Sequence, residues 1–183
     1  MKRINIHIGE YYSSAEPSVI TTILGPCVAV CLYDPTSGTG GMNHILLPGG
    51  RTDGCNSGDA RFAINAMELL INQMMKLWAD RYRLKAKIFG GAQIYPFLKQ
   101  EMAMGLKNIE MVIEFLITER IPIINYNFGG SHPRKIFFYT GTGDVLMQKI
   151  KTSEVIEEFE NLKLKRMEIE KRIRKTGNCM FFD

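Results

Sequence analysis

The sequence has no run approaching the roughly 18 consecutive apolar residues that a membrane-spanning helix needs, so no such helix is expected. Its N-terminus, "MKRINIHIGEYY", lacks the apolar stretch of a secretory leader, which makes the cytoplasm, with its reduced thiols, the expected compartment. Charge of one sign is scarce too. The net charge of +4 comes from 23 Lys and Arg interleaved with 19 Asp and Glu, which argues against a nucleic-acid-binding surface. No Gly-Lys-Ser/Thr and no G-x-G-x-x-G occurs, so nucleotide chemistry is not expected. Only three histidines and four cysteines are present, with no Cys-x-x-Cys or His-x-x-x-His pair, so a zinc site is not expected.

What is present suits one domain of ordinary size: 183 residues, 45% apolar and 23% charged. Residues 3–8 alternate Ile4, Ile6 and Ile8 against Asn5 and His7, a half-buried strand. Residues 18–24 and 27–33 are β-branched and apolar, parted by Gly25-Pro26, and "GGMNHILLP" suits a strand ended by Pro48. "GGRTDGCNSG" is a loop by composition. From Asp59 the period becomes helical, with Ala63, Ala66, Met67, Leu70, Met74 and Leu77 on one face. "LKAKIFGGA" reads as a strand. Asn108 can cap a second helix with the stripe Ile109, Val112, Ile113, Leu116 and Ile117. "IPIINYNFGG", "RKIFFYT" and "DVLMQKI" are three more strands. The charged stretch from 152 to about 175 has helical propensity, as a surface helix or one that binds a partner. About eight strands and two long helices predict an α/β or α+β sandwich. The expected division is a globular body over 1–151 and a charged C-terminal helix and tail over 152–183.

The chemistry, if any, centres on "TTILGPCVAV". Cys27 follows Gly25-Pro26 at a strand end, where a side chain can be presented to substrate. It is either a small buried hydrophobe or a nucleophile. A free thiol with pKa near 8.5 is only a few per cent ionised at neutral pH, so a nucleophile needs a base. His44 shares a strand face with Met42 and Leu46 and can be that base, or a buried histidine satisfied by the main chain. His7 alternates outward, and His132, in "GGSHPRK", is the better turn residue. Cys31, Cys55 and Cys179 lack any such setting; Cys27 and Cys31, on one strand, stand about 13 Å apart, too far for a disulfide. Thr21 and Thr22 can orient an imidazole, but a two-residue hairpin at Gly25-Pro26 pairs Leu24 with Cys27 and puts Thr21 on the opposite face. A triad including Thr21 then needs a bulge, a wider turn or another pairing.

Taken together, "LGPCVAVCLYDP", "GGMNHILLP", "FAINAMELLINQMMKL", "RLKAKIFGGAQ", "KNIEMVIEFLITERIPI" and "NFGGSHPRKIFFYTGTGDVLMQKI" make the chain resemble the chemoreceptor glutamine deamidase family CheD over about residues 5–150. The resemblance implies a single-domain three-layer sandwich of mostly antiparallel sheet with two long helices, similar to the catalytic domain of cytotoxic necrotizing factor, plus a C-terminal helix. It implies Cys27 as nucleophile, His44 as base and Thr21, six positions before the cysteine, as the third member. Pro26 stands where the family commonly has serine, removing a hydroxyl and an N–H beside the nucleophile. The activity implied is hydrolysis of glutamine carboxamides in chemoreceptor cytoplasmic helices through a cysteine thioester, without cofactor, by a monomer in the cytoplasm. A CheC-type phosphatase is the implied second partner. The alternatives are a non-catalytic adaptor for receptor or phosphatase, or a cysteine hydrolase of another amide.

Overall fold

The computed structural model describes residues 1–46, 48, 61–94 and 99–153. Among these residues nine strands and two α-helices follow in the order β1 (Lys2–Asn5), β2 (Tyr11–Ser14), β3 (Ser18–Leu24), β4 (Val28–Asp34), β5 (Thr39–Asn43), α1 (Ala63–Lys76), β6 (Lys85–Gly90), α2 (Lys99–Thr118), β7 (Ile123–Phe128), β8 (Arg134–Tyr139) and β9 (Val145–Lys149), with a single 3-10 turn at Arg81–Arg83 before β6. The loop over 49–58, with Cys55, the helix start at Asp59, and the tail from residue 154, with Cys179, lie outside the described residues. No helix among the described residues is long and apolar enough to cross a membrane.

The strands form two sheets, ordered β1-β3-β8-β9 and β2-β5-β4-β6-β7. Only the β1–β3 and β6–β7 pairs are parallel; the other five are antiparallel. Period-two alternation gives β4, in the middle of the second sheet, two buried faces with different partners. Val28, Val30 and Leu32 of β4 join Ala86 and Ile88 of β6 against Met67, Leu70 and Met74 of α1 and Val112 and Leu116 of α2. Cys27, Ala29 and Cys31 turn the other way, onto Ile20, Leu24, Ile136 and Phe138 of the first sheet. The layers are therefore sheet, sheet, helices. This is the expected three-layer α+β sandwich of mostly antiparallel sheet. Leu70 is fully buried, and truncating such a side chain to Ala costs about 2–5 kcal/mol.

Four expectations need correction. β2 was not expected; "YYSS" is short and half polar, and its partner β5 supplies the ladder that makes it a strand. Asn108 does not cap α2 but lies inside it, fully buried, where its Nδ2 donates to the Leu46 carbonyl at 2.9 Å. Of the α2 stripe, Ile109, Val112 and Leu116 are buried while Ile117 is 69% exposed. Gly25-Pro26 is no hairpin: β3 and β4 enter different sheets, so Leu24 and Cys27 are not paired.

Candidate active site

Cys27 is presented by main-chain clasps on both sides. The Gly91 N–H donates to the Cys27 carbonyl at 2.8 Å and the Ala92 N–H to the Gly25 carbonyl at 2.9 Å. On the other flank Val28 and Ile45 exchange both of their main-chain hydrogen bonds, at 3.0 and 2.7 Å. The first clasp depends on glycine at position 90. There φ is +113°, and a Cβ would sit 2.1 Å from the Cys27 carbonyl oxygen, so no side chain fits.

The register then places His44. Cys31 pairs Met42 and Val28 pairs Ile45 in the antiparallel β4–β5 ladder. Continued, that register sets His44 opposite Ala29 and Leu46 opposite Cys27. Cys27 and His44 are thus diagonal neighbours on the face between the sheets, a separation of roughly 7–8 Å at the main chain and within reach of a long side chain. The ladder also loosens here, because the Val30 N–H donates to Asn43 Oδ1 at 2.9 Å rather than to main chain. Both side chains are buried, Cys27 at 2% exposure and His44 at 4%.

The threonine that meets the imidazole is Thr22. Its Oγ1 lies 2.8 Å from His44 Nδ1 and 2.8 Å from the Ile6 carbonyl oxygen. A carbonyl can only accept, so the single hydroxyl proton goes to Ile6 and Oγ1 accepts from Nδ1–H. That fixes the tautomer with its lone pair on Nε2, which is buried and has no hydrogen-bond partner among the described residues. Burial, reinforced by His7 nearby, lowers the His44 pKa from the ordinary 6.5 to about 3. The resting imidazole is neutral and able to accept a proton.

Thr21, the third member implied by the resemblance, points away from His44. Its hydroxyl bonds Asn5 Oδ1 at 3.0 Å and the Ile4 carbonyl at 3.4 Å. The reason is strand parity: Thr22 shares the inward face of β3 with Ile20 and Leu24, leaving Thr21 on the outer one. His7 Nε2 accepts from Asn5 Nδ2 at 3.2 Å, and His132 is exposed beside Ser131. Cys31 is fully buried, which pushes its thiol pKa far up although Lys87 opposes this, and so it is inert. Among the described residues no group of three or more His, Cys, Asp or Glu could hold a metal ion.

Beside the clasp opens a cleft of about 380 Å³ lined by Gly91, Gln93, Leu106, Gly129, Gly130 and Ser131. Sequence reasoning missed what shapes it. Arg134, 5% exposed, donates to the carbonyls of Gly90, Asn127, Gly129 and His132 and to Asn127 Oδ1. One buried guanidinium thus ties the glycine rim of the cleft to the strand end that clasps Cys27.

A thiol at a strand end, a neutral imidazole on the same face and a hydroxyl fixing the tautomer of that imidazole are the kinds of group that cysteine-dependent acyl transfer uses. The family described as "CheD chemotactic sensory transduction" matches residues 46–149, beginning just after His44. The chain is 44% identical over 151 residues to the probable chemoreceptor glutamine deamidase CheD 1 of Shewanella oneidensis, covering 81% of this chain and 73% of that one. It is 47% identical over 144 residues to the corresponding protein of Agrobacterium fabrum, covering 78% and 77%. The chain belongs to the CheD family. A crystal structure of the Bacillus licheniformis hypothetical protein YfiH aligns at 16% identity and TM-score 0.41, over 66% of this chain and 49% of that one, too distant to carry an argument.

Proposed function

We propose that this chain is a chemoreceptor glutamine deamidase in which Cys27 is the nucleophile, His44 its base and Thr22 the residue that positions the imidazole. The observation that carries the reading is the Nδ1–Thr22 contact, which leaves His44 Nε2 unprotonated on the face it shares with Cys27. His44 takes the thiol proton as Sγ attacks the carboxamide carbon of a receptor glutamine. The tetrahedral intermediate then collapses, and the same proton leaves with the nitrogen as ammonia. Water, deprotonated by His44, attacks the thioester; glutamate forms and the thiol is restored. Pro26 has no N–H to offer the oxyanion, so its donors come from other main-chain groups, each worth about 2.7–4 kcal/mol in such sites.

The depressed His44 pKa supports a neutral imidazole at rest, ready to accept the thiol proton once substrate is in place. The reading carries with it the partners implied by the resemblance: helices of a chemoreceptor's cytoplasmic region as substrate and a CheC-type phosphatase as competitor, met in the cytoplasm by a monomer. Incubating receptor cytoplasmic fragments with the wild type and with Cys27→Ala tests it. Ammonia release and glutamine-to-glutamate conversion in the wild type alone are expected. A fragment that binds both proteins yet is converted by neither leaves the adaptor reading in its place.

A further inference from the structure

α1 and α2 end side by side, joined by the ion pair of Arg81 with Glu119. Both close with the same motif. The Ala79 and Trp78 N–H groups donate to the Met74 and Met75 carbonyls, and the Ile121 and Arg120 N–H groups to those of Leu116 and Ile117. In this motif the residue after the cap takes the left-handed conformation that glycine adopts most readily. Here those positions hold Trp78, at φ 69°, and Arg120, at φ 56°. The residues that follow, Ala79 and Ile121, tuck into the core at 7% and 3% exposure. Trp78 gains no such packing, being 88% exposed, and Tyr82 beside it is 91% exposed. The chain therefore bears backbone strain at Trp78 to hold a large ring out in water, where neither stability nor solubility benefits.

The surroundings say what the ring meets. Met75 and Ile117 add exposed apolar surface, at 46% and 69%. The acidic groups nearby are occupied: Asp80 takes Arg83 and the Tyr82 N–H, and Glu119 takes Arg81. Lys76 and Arg120 are exposed and have no ion-pair partner among the described residues. Exposed aromatic rings and cations without an ion-pair partner among the described residues therefore share this end of the two helices. Tryptophan and tyrosine flanked by lysine and arginine match the interface of an anionic bilayer, which takes in protruding rings and attracts basic side chains.

We infer that the end of the molecule carrying Trp78, Tyr82, Lys76 and Arg120 docks on an anionic lipid surface as a peripheral contact. The site is separate from the Cys27 cleft, so the inference stands apart from the catalytic reading. Trp78 is the single tryptophan of the chain, and its fluorescence reports on this surface alone.

The test uses the full chain with vesicles of phosphatidylcholine alone and of phosphatidylcholine mixed with phosphatidylglycerol. Co-sedimentation with the anionic vesicles only, weakened by salt, and a shift of Trp78 emission to shorter wavelength are expected. Lys76→Gln and Arg120→Gln should each lower partitioning about fivefold. Trp78→Gly should abolish sedimentation while keeping or raising the melting temperature and leaving turnover of a soluble receptor fragment unchanged, which separates lost docking from lost fold. Tyr82→Ser, which keeps the fluorophore, should blunt the spectral shift. No sedimentation at low salt, or sedimentation undiminished in Trp78→Gly, overturns the inference. So does a Trp78→Gly protein whose only defect is weaker turnover of the soluble fragment, since that marks a protein-docking face.

Discussion

Thr22 and His44 meet at 2.8 Å across the interior of the sandwich, Thr22 from the first sheet and His44 from the end of β5 in the second. The contact holds the imidazole in one tautomer and one orientation. Thr22→Val should lower kcat on the order of 10²-fold, because a proton-transfer group in the wrong tautomer forfeits most of its contribution. It should also cost about 1–3 kcal/mol of stability, since Nδ1–H and the Ile6 carbonyl both lose a partner. Thr21→Val should leave kcat within a few-fold. Steady-state deamidation by the two variants side by side decides between the threonines.

The buried imidazole predicts a specific pH dependence of stability. Below pH 6.5 the unfolded chain takes up a proton at His44, whereas the folded chain refuses it until about pH 3. The unfolded state binds more protons in that window, so stability falls as pH falls, by up to about 1.4 kcal/mol per unit from this group. Urea unfolding between pH 7.5 and 5 should show the slope in the wild type and lose most of it in His44→Gln. Equal slopes in both would place the effect elsewhere.

Two cysteines on one strand face should behave differently. Cys27→Ala removes turnover, whereas Cys31→Ala keeps it, because the Cys31 thiol is buried between the sheets and cannot ionise in the working range. In the free protein both thiols should react slowly with iodoacetamide, as both are almost fully buried. Peptide mapping of alkylated sites checks this.

Gly90→Ala tests the clasp. A methyl group 2.1 Å from the Cys27 carbonyl oxygen, on a residue at φ +113°, cannot be accommodated without moving the Cys27 main chain. The variant should lose about 3 kcal/mol or more by denaturant unfolding, and turnover with it.

Strand parity explains most of what could be read in advance. β3 over Ser18–Leu24 matched its β-branched run residue for residue, and the alternation that put His44 with Met42 and Leu46 correctly turned it inward. The same alternation sets Thr22, not Thr21, on the inner face, but choosing between them required knowing that β3 and β4 lie in different sheets. That is a tertiary fact. Asn108 resembles a cap because its side chain seeks a main-chain partner, and only the folded chain reveals that partner as the Leu46 carbonyl, 62 residues away. The carbonyl cage around Arg134 and the strained Trp78 leave no local signal, since each depends on main-chain geometry brought together by the fold.

The most direct measurement is acid quenching of the protein in the act of turning over a glutamine-bearing receptor fragment, followed by mass analysis of the peptide containing residue 27. An acyl adduct of the fragment on that sulfur, absent from Cys27→Ala and formed far more slowly by His44→Ala, is the predicted result. Glutamate appearing at an undiminished rate from protein lacking the thiol, or an adduct on any other side chain, would contradict the account.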